Sequence, residues 1–343
     1  MPSIIIWNIQ HSSGFQDTFS AKNAFINEVL GNCVQTHKVS AIILLEVTDT
    51  NSVNQFAQNR GFHASIHGQG STLKYAILTN YPHEVTDATD YFGSFAGKPR
   101  GIVHVACRDH SGFPPLLVTH IKSDLGKSGA ACLGDIGQQM KESMSPASAK
   151  WPSSGAIAVA DWNLESDQAV QVASMSGGRI VAPREPTRYP FIPPQKILQP
   201  VGGGKVLDYA CVFGGLAASN SFEAFVPDVF HLRSVMPLLE GYLKQIVDKV
   251  NDLDQKNQKI ETELMTAMNS GNFSLVGMNA VLDEQSKLSG EKNIFDNLRL
   301  ELTGFMERIA RHDRLDQYDK QVVRQLFAQA GIGPDHMPVI ISW

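Results

Sequence analysis

Residues 157–163 read Ile-Ala-Val-Ala-Asp-Trp-Asn, a short apolar run that ends in a carboxylate and an amide. Such continuous apolarity is typical of a strand that is covered on both of its faces. Runs of similar length and composition lie at residues 4–7, 41–45, 75–78, 101–105, 116–119, 206–210 and 338–341. The sequence therefore predicts a core built from buried β-strands.

The segments between these runs indicate how the strands are arranged. Most of them are polar and contain Gly, Pro and Ser, and residues 21–30 are one of the few with helical character. Parallel strands need long, usually helical, crossover connections, and too few are visible for an all-parallel sheet. We therefore predict an α/β (α+β) fold, a four-layered sandwich of two mixed β-sheets flanked by helices.

Polar side chains stand at or near the ends of many of these runs. They are Asn8, Glu46, His120, Asp161, Asn163, Asp208, Asp335 and His336. One such residue alone is usually a turn or cap residue. As a converging set they have a chemical use, because carboxylate and amide oxygens suit Mg²⁺ or Mn²⁺ better than zinc. An imidazole held by a carboxylate can move protons or bind phosphate as a cation.

Residues 237–330 differ from the rest of the chain in their sequence pattern, which is helical. Leu243 and Leu264 share one heptad position with the polar Asn257, a pattern that predicts a coiled-coil seam. A turn and a further helical stretch at residues 294–328 follow. The seam closes either within the chain, as a folded-back hairpin, or against a second copy or another protein.

Composition limits the class of protein. The chain has 343 residues, 43% of them hydrophobic, and a formal net charge of −5, so any attraction to a polyanion must be local or supplied by a metal. Its four cysteines form no CxxC pair, which makes a zinc ribbon improbable and suggests free thiols in a reducing compartment. No signal peptide or membrane-spanning run is visible, so we expect a cytoplasmic protein, with signal-free export as the alternative.

Six short motifs, in order, resemble those of the endonuclease/exonuclease/phosphatase family, which has the fold of deoxyribonuclease I. They are Trp7-Asn8, Leu45-Glu46-Val47, Thr119-His120-Ile121-Lys122-Ser123, Ala160-Asp161-Trp162-Asn163, Leu207-Asp208-Tyr209 and Pro334-Asp335-His336-Met337-Pro338-Val339. One motif alone is weak, whereas six in family order over nearly the whole chain are specific.

The resemblance implies a metal site and a water-activating group. Glu46 is expected to be the principal ligand of Mg²⁺, with Mn²⁺ as an alternative ion, and Asn8 and Asp335 are expected to support it. Asp161 is expected to orient or deprotonate the attacking water. Asn163 is expected to bind the phosphate that is cut.

The same resemblance assigns the imidazoles and two cations. His336 is expected to contact a phosphate oxygen, with Asp208 as its partner, and His120 is the second imidazole. No acidic partner for His120 is evident near residues 74–75, where one is expected. Arg100 and Lys122 are expected to bind substrate phosphate.

The position of the last motif defines the predicted domains. Asp228 and His231 lie where that motif falls in a compact family member, but residues 227–231 do not give the order D-H-x-P-V. The C-terminal tail does. We therefore predict a metal-dependent phosphodiesterase domain at residues 1–236 and 331–343, interrupted by a helical insertion at 237–330.

Three functions follow from these features. The first is a magnesium-dependent nuclease that hydrolyses phosphodiester bonds in DNA, which the His120 motif and Arg100 favour. The second is a phosphatase or phosphodiesterase acting on a small or lipid phosphate ester, such as an inositol phosphate or sphingomyelin, which the negative net charge favours. The third is a binding module that works through the helical insertion, by a protein partner or self-association.

Overall fold

The computed structural model describes residues 2–9, 19–68, 74–87, 101–107, 113–121, 127–143, 155–175, 177–188, 198, 203–219, 221–270, 275–330 and 332–343. Within these ranges the chain forms two six-stranded sheets with helices on their outer faces.

The first sheet joins the two ends of the chain. Its strands are β1 (Ser3–Asn8), β2 (Val39–Val47), β3 (His63–His67), β4 (Lys74–Thr79), β11 (Glu223–Phe225) and β12 (Val339–Ser342). They lie in the order β11-β12-β1-β2-β4-β3, so the last strand pairs antiparallel with the first. The tail therefore returns to the middle of a sheet that the N-terminal strand begins.

The second sheet holds the other half of the strands. They are β5 (His83–Asp87), β6 (Ile102–Cys107), β7 (Leu116–His120), β8 (Ile157–Asp161), β9 (Arg179–Val181) and β10 (Asp208–Val212), in the order β5-β6-β7-β8-β10-β9. Among the strand pairs that the structure describes, only β1–β2 and β7–β8 are parallel. Both sheets are therefore mixed, as the scarcity of helical crossovers predicts.

Alternating side chains of each central strand serve two different cores. In β1, Ile4 and Ile6 face the second sheet and share a cluster with Val118 and Val159, whereas Trp7 faces outward. The outward faces are covered by α1 (Phe19–Thr36), α2 (Thr50–Arg60), α3 (Lys127–Ser143) and α4 (Ser166–Met175). These central strands are buried on both faces, which explains their continuous apolarity and confirms the predicted four-layered sandwich.

Three helices occupy the chain between β11 and β12. They are α5 (Leu232–Ser270), α6 (Leu275–His312) and α7 (Gln317–Ala330). The long helices α5 and α6 pack side by side, with Lys249 2.9 Å from Glu291 and Lys292 3.3 Å from Asp254. This part of the chain therefore folds back on itself as a hairpin, the first of the two arrangements that the heptads allow.

The predicted helical stretch over residues 294–328 is divided between two helices, because α6 ends at His312 and α7 begins at Gln317. Asp313 has a left-handed backbone with φ 49°, and Asp316 accepts a hydrogen bond from the backbone N–H of Asp319. A left-handed residue followed by a capping carboxylate ends one helix and begins the next.

The base of the hairpin and its far end differ in burial. Leu238, Leu239 and Ile309 are fully buried in the core that covers the first sheet, whereas Met265 and Met268 are 69% and 61% exposed. The base thus completes a layer of the sandwich. The domain boundaries at residues 237 and 330, the coiled coil and any partner of the hairpin stay predictions. No helix in the described ranges has the length and hydrophobicity that crossing a bilayer requires.

Candidate active site

The topology brings the predicted site residues to one end of the sandwich. Asn8 ends β1, and His120 and Asp161 end the parallel strands β7 and β8, where they are register partners. Asp208 opens the antiparallel strand β10 and is also opposite Asp161. Because β12 is antiparallel to β1, the chain just before β12, which contains His336, lies at this same end of the sandwich. The predicted strand at residues 206–210 is shifted, so that Asp208 starts the strand instead of lying inside it.

Two site residues adopt a strained backbone. Glu46 has φ 58° and Asn163 has φ 46°, both in the left-handed region that non-glycine residues rarely adopt. Glu46 sits in an irregularity of β2, where its register with β4 shifts between Leu44 and Val47. Such an irregularity turns a side chain out of the regular alternation of the strand. Strained positions of this kind concentrate at functional sites.

A short, buried contact joins His336 and Asp208. The Nδ1 atom of His336 is 2.6 Å from Oδ2 of Asp208, and both side chains are buried. Burial alone lowers the pKa of His336, but the carboxylates of Asp208, Asp335 and Asp161 outweigh it and raise the pKa to about 10. Burial also raises the pKa of Asp208, yet the short contact with the imidazole stabilises a charged pair, and we regard both groups as ionised at neutral pH.

Asp161 is the centre of the network. Its Oδ2 accepts a hydrogen bond from Nδ2 of Asn8 at 3.0 Å and lies 3.4 Å from Nε2 of His120 and 3.7 Å from Nε2 of His336. Its Oδ1 accepts from the backbone N–H of Asn163 at 3.1 Å. Burial alone would raise the pKa of Asp161, but the charges of the two imidazoles and these hydrogen bonds hold it well below its usual range. Asp161 is therefore an ionised hydrogen-bond acceptor at any physiological pH.

His120 and Asn163 are held by different contacts. Nε2 of His120 lies between Asp161 and Glu46, 3.5 Å from Oε1 of the latter, whereas its Nδ1 has no hydrogen-bond partner among the described residues. The acidic neighbours of His120 are thus Glu46 and Asp161, two carboxylates of the site itself. Among the described contacts, residues 74–75 provide no acidic partner for His120. Nδ2 of Asn163 donates to the carbonyl of Ile121 at 2.6 Å, which leaves its second N–H for a ligand.

Two cations lie near the site that were not among the residues predicted to form it. Lys22 on α1 is 1% exposed and interacts electrostatically with Asp335 and Glu46; burial lowers its pKa to about 8 against the pull of these carboxylates. Arg188 lies with its Nε 3.4 Å from Oδ2 of Asp335. No sequence pattern marks Lys22 as a site residue, because a helix of mixed composition does not show which of its residues points at a site.

The loop that carries Arg188 is fixed on both sides, although its sequence resembles a solvated loop. Thr187 is fully buried, and its hydroxyl accepts hydrogen bonds from the backbone N–H groups of Leu207 and Asp208. The carbonyl of Thr187 accepts from the N–H of Met337. This loop therefore holds the start of β10 against the tail.

Two sets of side chains could hold a metal ion. Asp161, Asp208 and His336 place ligand atoms within 4.8 Å of one another, the only such group of acidic, Cys and His residues in the described part of the chain. It suits a metal poorly, because metal binding needs a neutral imidazole, whereas the carboxylates around His336 raise its pKa to about 10 and favour protonation of both ring nitrogens. The second set is the one predicted from the sequence, Glu46, Asp335 and the amide of Asn8, whose oxygen atoms are the ligands that a hard cation prefers.

Arg100 and Lys122 lie outside the described residues. Asp228 is exposed and pairs with Lys320, which agrees with placing the last motif in the tail.

No protein-family model matches the sequence, and no curated protein matches it. Solved structures with a similar fold include truncated TDP2 from Caenorhabditis elegans, with 14% identity and a TM-score of 0.43 over 68% of this chain and 90% of that one. A mannosyl-6-phosphatase from Bacteroides thetaiotaomicron has 14% identity and a TM-score of 0.47 over 66% and 90%. An endonuclease/exonuclease/phosphatase family protein from the same organism has 14% and 0.46 over 66% and 86%. That family is the one that the six motifs resemble, but values this low carry no argument about chemistry.

Proposed function

We propose that this chain is a divalent-metal-dependent phosphodiesterase of the endonuclease/exonuclease/phosphatase family that hydrolyses phosphodiester bonds in DNA. The observation that carries the proposal is the meeting of two imidazoles and four carboxylates at one end of the sandwich, with Asp161 between His120 and His336. A phosphate ester is a substrate that needs both cations for its oxygens and an ionised acceptor for water.

His336 is the cation that the protein supplies itself. The carboxylate of Asp208 keeps the imidazole protonated and fixes its orientation through Nδ1, so Nε2 is the atom that faces the substrate. An imidazolium in this position donates a hydrogen bond to a phosphate oxygen and stabilises the charge that grows in the transition state.

Asp161 orients the attacking water. Its low pKa makes it a strong hydrogen-bond acceptor for water but a weak final acceptor of the proton. Asn8 and the backbone of Asn163 fix the carboxylate in one orientation. The free N–H of the Asn163 amide is available to the phosphate.

Glu46, Asn8 and Asp335 would hold one Mg²⁺ ion, or Mn²⁺ in its place. Bound there, a divalent ion polarises the phosphoryl oxygen and offsets its charge. The strained backbone of Glu46 fits this assignment, since it lies at an irregularity of β2 and its carboxylate reaches His120 in the site.

The preference for DNA rests on the His120 motif with Lys122, and on Arg100. The alternative substrate is a small or lipid phosphate ester, which the net charge of −5 favours. Both reactions use the same set of residues, because substrate choice lies in the surrounding loops.

A plasmid-nicking assay with Mg²⁺ tests the proposal, beside a panel of inositol phosphates and sphingomyelin. We expect nicking by the wild type, none in EDTA, and none by Asp161→Asn or His336→Ala, with both variants folded by circular dichroism. Asp228→Asn, which alters an exposed carboxylate outside the site, is the matched control and should keep full activity. Full activity of Asp161→Asn or His336→Ala would refute the assignment, and turnover of the small esters alone would replace DNA as the substrate.

A further inference from the structure

Lys22 is a lysine in a place where lysines are rarely found. It is 1% exposed, and it ranks among the largest fully buried side chains of the described residues. Lysine is almost never buried completely unless a negative group compensates its charge. Two negative groups act on it here, because its charge interacts with the carboxylates of Asp335 and Glu46.

These two carboxylates are the ones assigned to the metal ion in the proposed function. Asp335 is itself buried, and Arg188 approaches it from the rim with a 37% exposed side chain. The site thus has a buried protein cation whose charge acts on the same two carboxylates that would hold a divalent ion. Two cations on the same carboxylates repel each other, and this repulsion is strong where water is excluded.

We propose that Lys22 is a resident cation of the site, which neutralises Glu46 and Asp335 when no metal is bound and weakens metal binding when one is. The inference rests on the proposed function for the identity of the ligands. Lys22 acts through the two carboxylates and is a positioning residue. Its charge keeps the empty site folded and sets how much free metal the enzyme needs.

Calorimetric titration with Mn²⁺ tests this on the full chain. Lys22→Met keeps the length of the side chain and removes its charge, so we expect Mn²⁺ to bind about tenfold more tightly than to the wild type. Lys256→Met is the matched control, because Lys256 pairs with Asp252 at 2.7 Å on the exposed surface of the hairpin. It should bind Mn²⁺ as the wild type does. Unchanged or weaker binding by Lys22→Met would overturn the proposal, since a merely structural lysine has no reason to oppose the ion.

A second measurement decides the matter if Lys22→Met is too unstable to titrate. In EDTA, Asp335→Asn should lower the melting temperature of the wild type, because it leaves Lys22 with less compensation. On the Lys22→Met background the same change should raise the melting temperature or restore folding, because it removes an uncompensated carboxylate. If Asp335→Asn lowered the melting temperature equally on both backgrounds, or if the double variant stayed unfolded, the pairing of Lys22 with Asp335 would be contradicted.

These tests are independent of the substrate. Tighter Mn²⁺ binding by Lys22→Met in a protein that cuts no DNA would support the resident cation and refute the proposed function. DNA cleavage by the wild type, together with an unchanged Mn²⁺ affinity of Lys22→Met, would support the proposed function and refute the resident cation.

Discussion

Nδ1 of His336 lies 2.6 Å from Oδ2 of Asp208, although 128 residues, including three helices, separate the two along the chain. The contact forms because β12 returns to pair with β1, which places the start of the last strand beside the start of β10. The indole N–H of Trp7 donates to the carbonyl of His336 at 2.8 Å and fixes the backbone of this residue. The first and last strands thus hold the imidazole between them.

Asp208→Asn should reduce the rate of DNA cleavage by about 100-fold or more at neutral pH, because an amide does not keep the His336 imidazole protonated. The measurement is the initial nicking rate at saturating Mg²⁺. Folding is checked by the melting temperature. A variant that loses less than twofold would show that the His336–Asp208 pair serves the fold alone.

Glu46→Gln should weaken Mn²⁺ binding by at least about 100-fold, since even the outer-shell partners of a metal contribute about 10 to 100-fold. Calorimetry measures this directly. Glu165→Gln is a suitable comparison, because Glu165 is a half-exposed carboxylate that pairs with Lys205. If Glu46→Gln bound the ion normally, another group would have to be its principal ligand.

Stability should fall as the pH drops from about 6.5 toward 5, because of buried neutral histidines. Burial lowers the pKa of His83 and of His104, and the charges of His63 and His67 lower that of His83 further. A histidine whose folded pKa lies below its unfolded value contributes stability above the unfolded pKa and loses it as the pH falls. His336 does not cause this loss, because its raised pKa keeps it protonated in the folded state, and its contribution to stability is complete once the unfolded chain is also protonated below about pH 6.5.

His83→Gln should therefore flatten the acid slope of the unfolding free energy, measured by urea titration at several pH values. His312→Gln changes an exposed histidine at the end of α6 and should leave the slope as it is. If the wild type, His83→Gln and His312→Gln all showed the same acid slope, His83 would be excluded as its source.

Gly155→Ala should destabilise the protein by at least about 3 kcal/mol. Gly155 lies just before β8 and has φ 106°. A Cβ at this position would lie 1.9 Å from the backbone oxygen of Phe213. Gly61→Ala is the control, because Gly61 also has a left-handed backbone, with φ 74°, but nothing lies within 4 Å of its Cβ position. It should lose only about 1 to 2 kcal/mol. Equal losses would show that β8 and β10 are not in the described register.

The central strands and the polar residues that end them could be predicted from the sequence alone. Buried strands such as β1 and β8 are continuous apolar runs, and this pattern needs no knowledge of their neighbours. The short edge strands β3, β5, β9 and β11 were missed, because they are partly exposed and contain few apolar residues. Edge strands have only one neighbour, so their sequence is less constrained.

The candidate site was predictable where motifs mark it and not where tertiary packing creates it. Asp161 and His336 follow from residue order along the chain. Lys22 could not, because its significance depends on how α1 lies against the tail, a contact between elements distant in sequence. The strained backbone of Glu46 is likewise a property of the register between β2 and β4.

Anomalous diffraction from a crystal soaked in Mn²⁺ tests the central claim most directly, because it locates the ion without an assay. The account predicts one strong peak bonded to the carboxylates of Glu46 and Asp335 and beside the amide of Asn8. A peak among Asp161, Asp208 and His336 instead, or no peak at a concentration that supports cleavage, would contradict it.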